Sequence, residues 1–195
     1  MKQTEGTCTA EKKTRRPDVL TLVRCGICTA VITVCSWISI PSAIPFTLQT
    51  FAVCLVSSVF GPGTGIMSLV LYVLLGAFGF PVFSGFRAGA AVLFGVTGGY
   101  ILGFFATAAL SGYLPARFGR SIGVLMLSMA LGITACYAFG TAWFTLVYMR
   151  TAGPVSLGAA LSWCVIPYIP ADAAKIAAAA LISKRIYPMV GRHTK

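Results

Sequence analysis

Residues 19–40 read VLTLVRCGICTAVITVCSWISI, an apolar stretch that is long enough to cross a membrane as one helix. The stretch holds a single charged side chain, Arg24, which lies near its beginning. A long basic side chain at that place extends back to the membrane surface. A cleaved secretion signal would instead have a short apolar core followed by an A-x-A site. We therefore expect residues 19–40 to stay in the protein as its first membrane-spanning helix.

The rest of the chain has the composition of a membrane protein. Hydrophobic residues make up 57% of its 195 residues and charged residues 10%, whereas a soluble domain carries about 25% charged residues. Lipid must therefore be the solvent for most of the chain. The length accommodates about six spans of ~20 residues with short loops. No room remains for a separate soluble catalytic domain.

The basic residues indicate the orientation in the membrane. The net charge is +11, and much of it flanks the apolar part, at Lys2, Lys12, Lys13, Arg15 and Arg16 on one side and at Lys184, Arg185, Arg192 and Lys195 on the other. Basic residues in short flanking segments stay on the cytoplasmic side. Both termini are therefore predicted to be cytoplasmic, which requires an even number of spans. The charges form no basic stripe interleaved with aromatic residues, so we expect no nucleic-acid partner.

Apolar runs separated by glycine and proline predict the individual spans. They cover residues 19–40, 46–60, 65–80, 97–114, 121–148 and 171–186. Pro115 is expected to close the fourth span, and the turn after it carries Arg117 and Arg120, which agrees with a cytoplasmic position in a six-span topology. The irregular segments 81–96 and 150–170 then fall on the outer side. Irregular backbone at a membrane has to line a cavity or be buried in protein, so these segments predict the walls and lid of an outward-facing pocket.

The predicted organisation is a bundle of six transmembrane helices, an all-α fold, in one domain. Residues 1–18 form a basic cytoplasmic segment, residues 19–187 the substrate-binding membrane domain, and residues 188–195 a basic cytoplasmic tail.

Motifs of enzymes and metal sites are missing from the sequence. Its seven cysteines lie mostly in apolar runs, where they behave as small hydrophobes. Cys25 and Cys28 form a CxxC, but a metal site needs further ligands, and the one histidine is His193. The sequence holds no G-x-x-x-x-G-K-[ST], G-x-S-x-G or H-E-x-x-H. We therefore expect no enzyme, no metal and no cofactor.

A few polar residues in the apolar part need a reason for being there. Asp172 and Lys175 share one helix face at i, i+3. They either complement a helix dipole and the membrane surface, or face a cavity and bind a polar ligand. Arg87 is either an interface anchor or the partner of a ligand carboxylate. Gly26 and Ala30 form a small-xxx-small pair, which allows another helix to approach closely.

Four motifs carry a resemblance to a known family. They are PFTLQTF at residues 45–51, GAFGFPVF at residues 76–83, GVTGGY at residues 95–100 and PADAAK at residues 170–175. In this order and spacing they resemble the BioY family, the biotin-binding S components of energy-coupling factor (ECF) transporters. The resemblance covers about residues 19–187. Val96 and Ala171 replace the proline and glycine usual in the last two motifs, so the turn before the fourth span is expected to be less rigidly fixed.

The resemblance implies a protein that takes up biotin across the cytoplasmic membrane while separate subunits hydrolyse ATP. It implies a binding site made of Asp172, Lys175, Arg87, Phe83, Ser84, Gly85, Phe86, Thr97 and Tyr100. Lys175 and Arg87 compete for the biotin carboxylate. Gly26 and Ala30 would face the shared transmembrane subunit, and the remaining partners would be an ATPase pair and membrane lipid. A thiamine or riboflavin S component, a solitary vitamin transporter, a lipid-acting membrane enzyme and a purely structural membrane subunit are the alternatives.

Overall fold

The computed structural model describes residues 19–41 and 44–190, and the expectations for residues 1–18 and 191–195 lie outside that part. Its helices are α1 (Val19–Trp37), α2 (Gln49–Phe60), α3 (Pro62–Ala77), α4 (Ala90–Phe94), α5 (Gly98–Phe118), α6 (Ile122–Thr151), α7 (Leu157–Cys164) and α8 (Ile169–Val190). Strands β1 (Ser39–Ile40) and β2 (Phe46–Thr47) form a short antiparallel hairpin between α1 and α2. The predicted all-α class is confirmed.

Several helices have the length and composition of membrane spans. Four segments qualify on both counts, Val19–Trp37, Gly98–Phe118, Ile122–Thr151 and Gly158–Val190. The apolar helices α2 and α3 are shorter. Large apolar side chains cover the outside of the bundle, among them Leu127 and Leu146 on α6, as expected where lipid is the solvent. The chain is a membrane protein, while the count of six spans stays a prediction.

Two predicted boundaries were wrong. Pro115 does not close its helix, because α5 continues to Phe118 with the proline buried inside it. Proline is tolerated in membrane helices when neighbouring groups compensate for the lost hydrogen bond. Segment 150–170 is not irregular throughout, since α6 extends to Thr151 and α7 occupies Leu157–Cys164. Three prolines in that segment suggested a loop, but they fall between the helices or at their first turns.

Small residues bring α5 and α6 into close contact. A β-carbon on Gly132 would lie 3.0 Å from the Cα of Thr107, and one on Gly103 would lie 2.8 Å from the Cys136 sulfur. The Thr107 hydroxyl donates to the Gly132 carbonyl at 2.9 Å across this contact. Close backbone approach with interhelical hydrogen bonds is the usual way for helices to associate where lipid removes the hydrophobic drive.

Hydroxyl groups also join α1 to its neighbours. The Thr29 hydroxyl donates to the Ser68 carbonyl of α3 at 3.0 Å. The Ser36 hydroxyl donates to the Val82 carbonyl at 2.6 Å, which holds the start of the segment after α3. One face of α1 is thereby fixed to the bundle, and its other face remains exposed.

Arg120 joins three helices at the end of the bundle that carries the α5–α6 turn. Its guanidinium donates to the carbonyl of Ser58 near the end of α2 and lies 3.3 Å from the ring centroid of Tyr187 on α8. Burial lowers the pKa of Arg120 from its ordinary value, and the Tyr187 hydroxyl opposes that shift. This contact fixes the relative positions of the ends of α2, α5 and α8.

The close contact between α3 and α5 generates a stability prediction. A β-carbon on Gly112 would lie 2.5 Å from the backbone nitrogen of Pro62 at the start of α3. Gly112→Ala is expected to lower the free energy of unfolding by about 1–3 kcal/mol, because two helix backbones would have to separate. Gly123→Ala is the control, since nothing lies within 4 Å of a β-carbon there. Thermal unfolding of the detergent-solubilised variants measures both, and equal melting temperatures would contradict the prediction.

Candidate functional site

A cavity lies where α2, α3, α5, α6 and α8 meet segment 83–87 and the β1–β2 hairpin. The empty space within it is about 730 Å³, part of which is open to solvent. Seven of the residues predicted for the site line it, Asp172, Lys175, Arg87, Phe83, Ser84, Thr97 and Tyr100. The structure therefore brings together most of a set that spans 93 positions of the chain, from 83 to 175.

The charged part of the cavity is an ion pair on the first turns of α8. Lys175 Nζ lies 2.8 Å from Asp172 Oδ1, and both side chains are more than nine-tenths buried. The second carboxylate oxygen accepts a hydrogen bond from the Tyr137 hydroxyl of α6. Thr50 at the start of α2 donates to Oδ1 at 3.2 Å. Three helices thus supply groups to one carboxylate, which is what a charge needs to be tolerated away from water.

The ammonium group of Lys175 has no unused hydrogen. It donates to Asp172 Oδ1, to the Thr47 carbonyl at 2.7 Å and to the Thr50 hydroxyl at 3.3 Å. It also lies 3.9 Å from the ring centroid of Phe46, within cation–π distance. An ammonium carries three donors, so the lysine is saturated by the protein itself.

Arg87 is the exposed cation at the same cavity. Its Nε donates to the Ser84 carbonyl at 3.1 Å, and the Arg87 carbonyl accepts from the Phe83 backbone N–H at 3.1 Å. Within residues 19–41 and 44–190, its two terminal nitrogens make no hydrogen bond and no ion pair. A guanidinium with a free planar edge is suited to a carboxylate.

Gly85 and Phe86 are not among the residues that line the cavity. Gly85 and Phe86 have positive φ angles of 70° and 57°, and this tight turn directs the Phe86 ring outward. The ring stacks on Trp37 of α1 with centroids 5.0 Å apart. Phe83, by contrast, is fully buried and packs edge-on against Tyr72. The turn therefore divides the predicted wall into residues inside and outside the cavity.

Aromatic side chains form much of the remaining wall. Tyr100, near the start of α5, shares a 3.0 Å hydrogen bond with Thr141 of α6. Tyr168 stacks on Phe46 with centroids 5.8 Å apart and donates its hydroxyl hydrogen to the Ile44 carbonyl. The second contact joins the turn before α8 to the loop between β1 and β2, at one edge of the cavity.

Several lining residues were not predicted from the sequence. Gln49 and Thr50 lie in the PFTLQTF motif, so the motif was a signal for them, although nothing in it indicated a contact with Asp172. Tyr72 and Tyr137 lie within apolar helices, where aromatic residues are common, and carried no such signal. One buried polar atom at the cavity, Ser84 Oγ, has no hydrogen-bond partner among the described residues.

Gly26 and Ala30 lie on the exposed face of α1, away from the cavity. Nothing lies within 4 Å of a β-carbon built on Gly26. This face is therefore open to another helix or to lipid. In the described part of the chain, no group of three metal-binding side chains occurs.

Comparisons with known proteins identify the family. The BioY family model matches residues 7–192. The chain belongs to the BioY family. It is 40% identical over 166 residues to the biotin transporter BioY of Thermotoga maritima, which covers 85% of this chain and 94% of that protein. It is 36% identical over 143 residues to the probable biotin transporter BioY of Pyrococcus horikoshii. This alignment covers 73% of this chain and 80% of that protein.

A solved structure has the same fold. The crystal structure of the S-component for biotin from an ECF-type ABC transporter superimposes with a TM-score of 0.75. The two chains are 25% identical, and the match covers 86% of this chain and 90% of the other. BioY proteins are transporter components and not enzymes, in agreement with the missing catalytic motifs.

Proposed function

We propose that this BioY protein binds biotin in the cavity and takes it up across the cytoplasmic membrane as the substrate-specific subunit of an ECF-type transporter. Separate subunits would hydrolyse ATP. The observation that carries the proposal is the buried Asp172–Lys175 pair at the wall of a cavity, in a chain whose relatives are named biotin transporters.

The chemistry of biotin matches the two charged regions of the cavity. Its ureido ring carries two N–H donors, and Asp172 has acceptor capacity beyond its bonds to Lys175, Thr50 and Tyr137. Lys175 would orient the Asp172 carboxylate through their ion pair. The tail carboxylate of biotin requires a cation with free donors, and Arg87 is such a cation, whereas the hydrogens of Lys175 are engaged. We therefore propose that Arg87, and not Lys175, binds the biotin carboxylate.

Asp172→Asn or Lys175→Ala is expected to weaken biotin binding by at least about tenfold, because hydrogen bonds to charged groups contribute about 1.5–3 kcal/mol. Isothermal titration of the purified protein measures the affinity. Arg117→Ala is the control, since this exposed arginine does not line the cavity. Ligand-free melting curves establish that the variants are folded. Undiminished biotin binding in both variants would refute the site, and binding of thiamine or riboflavin instead of biotin would refute the ligand.

Arg87→Gln is expected to weaken the binding of biotin by about tenfold while leaving the binding of biotin amide nearly unchanged, because only biotin has a carboxylate to pair with the guanidinium. The ratio of the two dissociation constants is the readout. The variant should keep the melting temperature of the unchanged protein, since Arg87 is exposed. Equal losses for acid and amide would show that Arg87 does not bind the carboxylate.

The helix directions support an outward-facing cavity with six spans and cytoplasmic termini. Cavity residues come from the start of α2, α5 and α8, and from the last turns of α3. Arg117 and Arg120 lie at the opposite end of α5, and basic loops stay on the cytoplasmic side. The cavity then opens to the outer side, where a vitamin arrives.

The exposed face of α1 around Gly26 and Ala30 is proposed to bind the ECF transmembrane subunit. Small side chains there permit a second helix to approach at backbone distance, and no contact within the described bundle occupies Gly26. The opposite face of α1 is fixed by Thr29 and Ser36, so this helix presents a defined surface.

Gly26→Leu is expected to reduce co-purification with the transmembrane subunit at least about fivefold without changing biotin affinity, because a bulky side chain prevents close helix approach. Val34→Leu, farther along the exposed face, is the control. Affinity purification of co-expressed subunits provides the measurement. Normal assembly of the Gly26→Leu variant would exclude this surface.

A further inference from the structure

The end of α1 contacts the segment that carries Arg87 at two places outside the cavity. Trp37, the last residue of α1, donates from its indole N–H to the Pro81 carbonyl at 2.8 Å. Its ring stacks on Phe86, with the centroids 5.0 Å apart and the ring planes 28° apart. Neither Trp37 nor Phe86 lines the cavity. A direct contact with the ligand therefore does not explain this aromatic pair.

The segment after α3 is held from both sides. On the cavity side, Phe83 is fully buried and packs edge-on against Tyr72 with centroids 5.4 Å apart. On the α1 side, the Ser36 hydroxyl donates to the Val82 carbonyl, just before the 83–87 turn. Trp37 contacts the outer tip of that turn. The turn is thus held between the cavity wall and the end of α1.

The backbone at this outer tip has a conformation that phenylalanine rarely adopts. The φ angle of Phe86 is 57°, in the left-handed region. A residue other than glycine stays in that region where the surrounding contacts hold it there, and the stacked Trp37 ring is such a contact. Arg87 follows Phe86 directly in the chain. The backbone angles of Phe86 therefore set the direction in which Arg87 leaves the turn.

The guanidinium of Arg87 belongs to the same turn. Its Nε donates to the Ser84 carbonyl at 3.1 Å, so the position of the group follows that of the turn. Arg87 lines the cavity and is exposed. A long exposed side chain loses rotamer freedom when it binds a ligand. Holding its backbone in advance reduces that loss.

We infer that Trp37 is a positioning residue for ligand binding, which acts through Phe86 to keep the Arg87 guanidinium at the cavity. This inference rests on the proposed function, because it takes Arg87 as the partner of the ligand carboxylate. It extends the determinants of carboxylate recognition beyond the cavity wall, to the last residue of α1.

The test compares the binding of biotin and of biotin amide, which has no carboxylate. Trp37→Ala is expected to weaken biotin binding about three- to fivefold, less than Arg87→Gln does, because the arginine is still present but is less well placed. The affinity for biotin amide should change less than about twofold. Trp37→Phe keeps an aromatic ring and should restore the biotin affinity to within about twofold. Ile38→Ala is the control, since this neighbouring side chain is exposed and lies outside the cavity.

A double substitution distinguishes a role that depends on Arg87 from a general structural role. Adding Trp37→Ala to Arg87→Gln should weaken biotin binding by less than about a further twofold, because the group that Trp37 positions is then missing. Phe86→Ala removes the same stack from its other side and should show the same loss for biotin alone. It provides the test if Trp37→Ala does not fold. Isothermal titration of the full-length protein measures every affinity.

Three results would overturn the inference while leaving biotin binding by the protein intact. They are an unaltered biotin affinity in Trp37→Ala, equal losses for biotin and biotin amide, and a full further loss in the Arg87→Gln background. The last two would assign Trp37 to the stability of the loop. Equal losses for acid and amide in Arg87→Gln itself would remove the role of Arg87 and this inference with it. Absence of biotin binding by the unchanged protein would instead refute the proposed function.

Discussion

The buried ion pair between Asp172 and Lys175 is the interaction on which the cavity depends. Two charges inside an apolar bundle are tolerated only when each is neutralised and hydrogen-bonded. The structure meets this requirement with groups from three residues, Thr47 and Thr50 around the start of α2, and Tyr137 in the middle of α6. Satisfying the pair therefore forces α2, α6 and α8 to meet at one level, and that level is where the cavity lies.

Complete satisfaction of Lys175 has a consequence for the rest of the site. A lysine whose three hydrogens are occupied by the protein serves to orient the carboxylate with which it pairs. Free donors then have to come from elsewhere in the cavity, and Arg87 carries them. Charge neutralisation and ligand recognition are consequently divided among different residues.

Much of the site could be foreseen because two independent signals agreed. An acid and a base three residues apart in an apolar helix are costly without a role, and the surrounding motifs resembled a known family. That combination identified Asp172 and Lys175 from the chain alone. Tyr72 and Tyr137 gave no comparable signal, since tyrosine is common in membrane helices, and the motif that contains Thr50 indicated no contact with Asp172. Their roles follow from contacts across 122 and 35 positions for Thr50 and Tyr137, and no local pattern encodes such contacts.

The amino-acid sequence alone established that lipid surrounds most of the chain, that the fold is all-α, and that Asp172 and Lys175 are the charged pair. Each follows from local properties, namely a low content of charge, long apolar runs and a helical spacing of three. The choice of Arg87 over Lys175 as the free cation required the folded chain, because it depends on which donors are already used. The exclusion of Phe86 from the cavity likewise depends on a turn with positive φ, whose direction is set by packing on Trp37. Composition and spacing report what a residue is able to do, whereas hydrogen-bond saturation is a property of its neighbours in space.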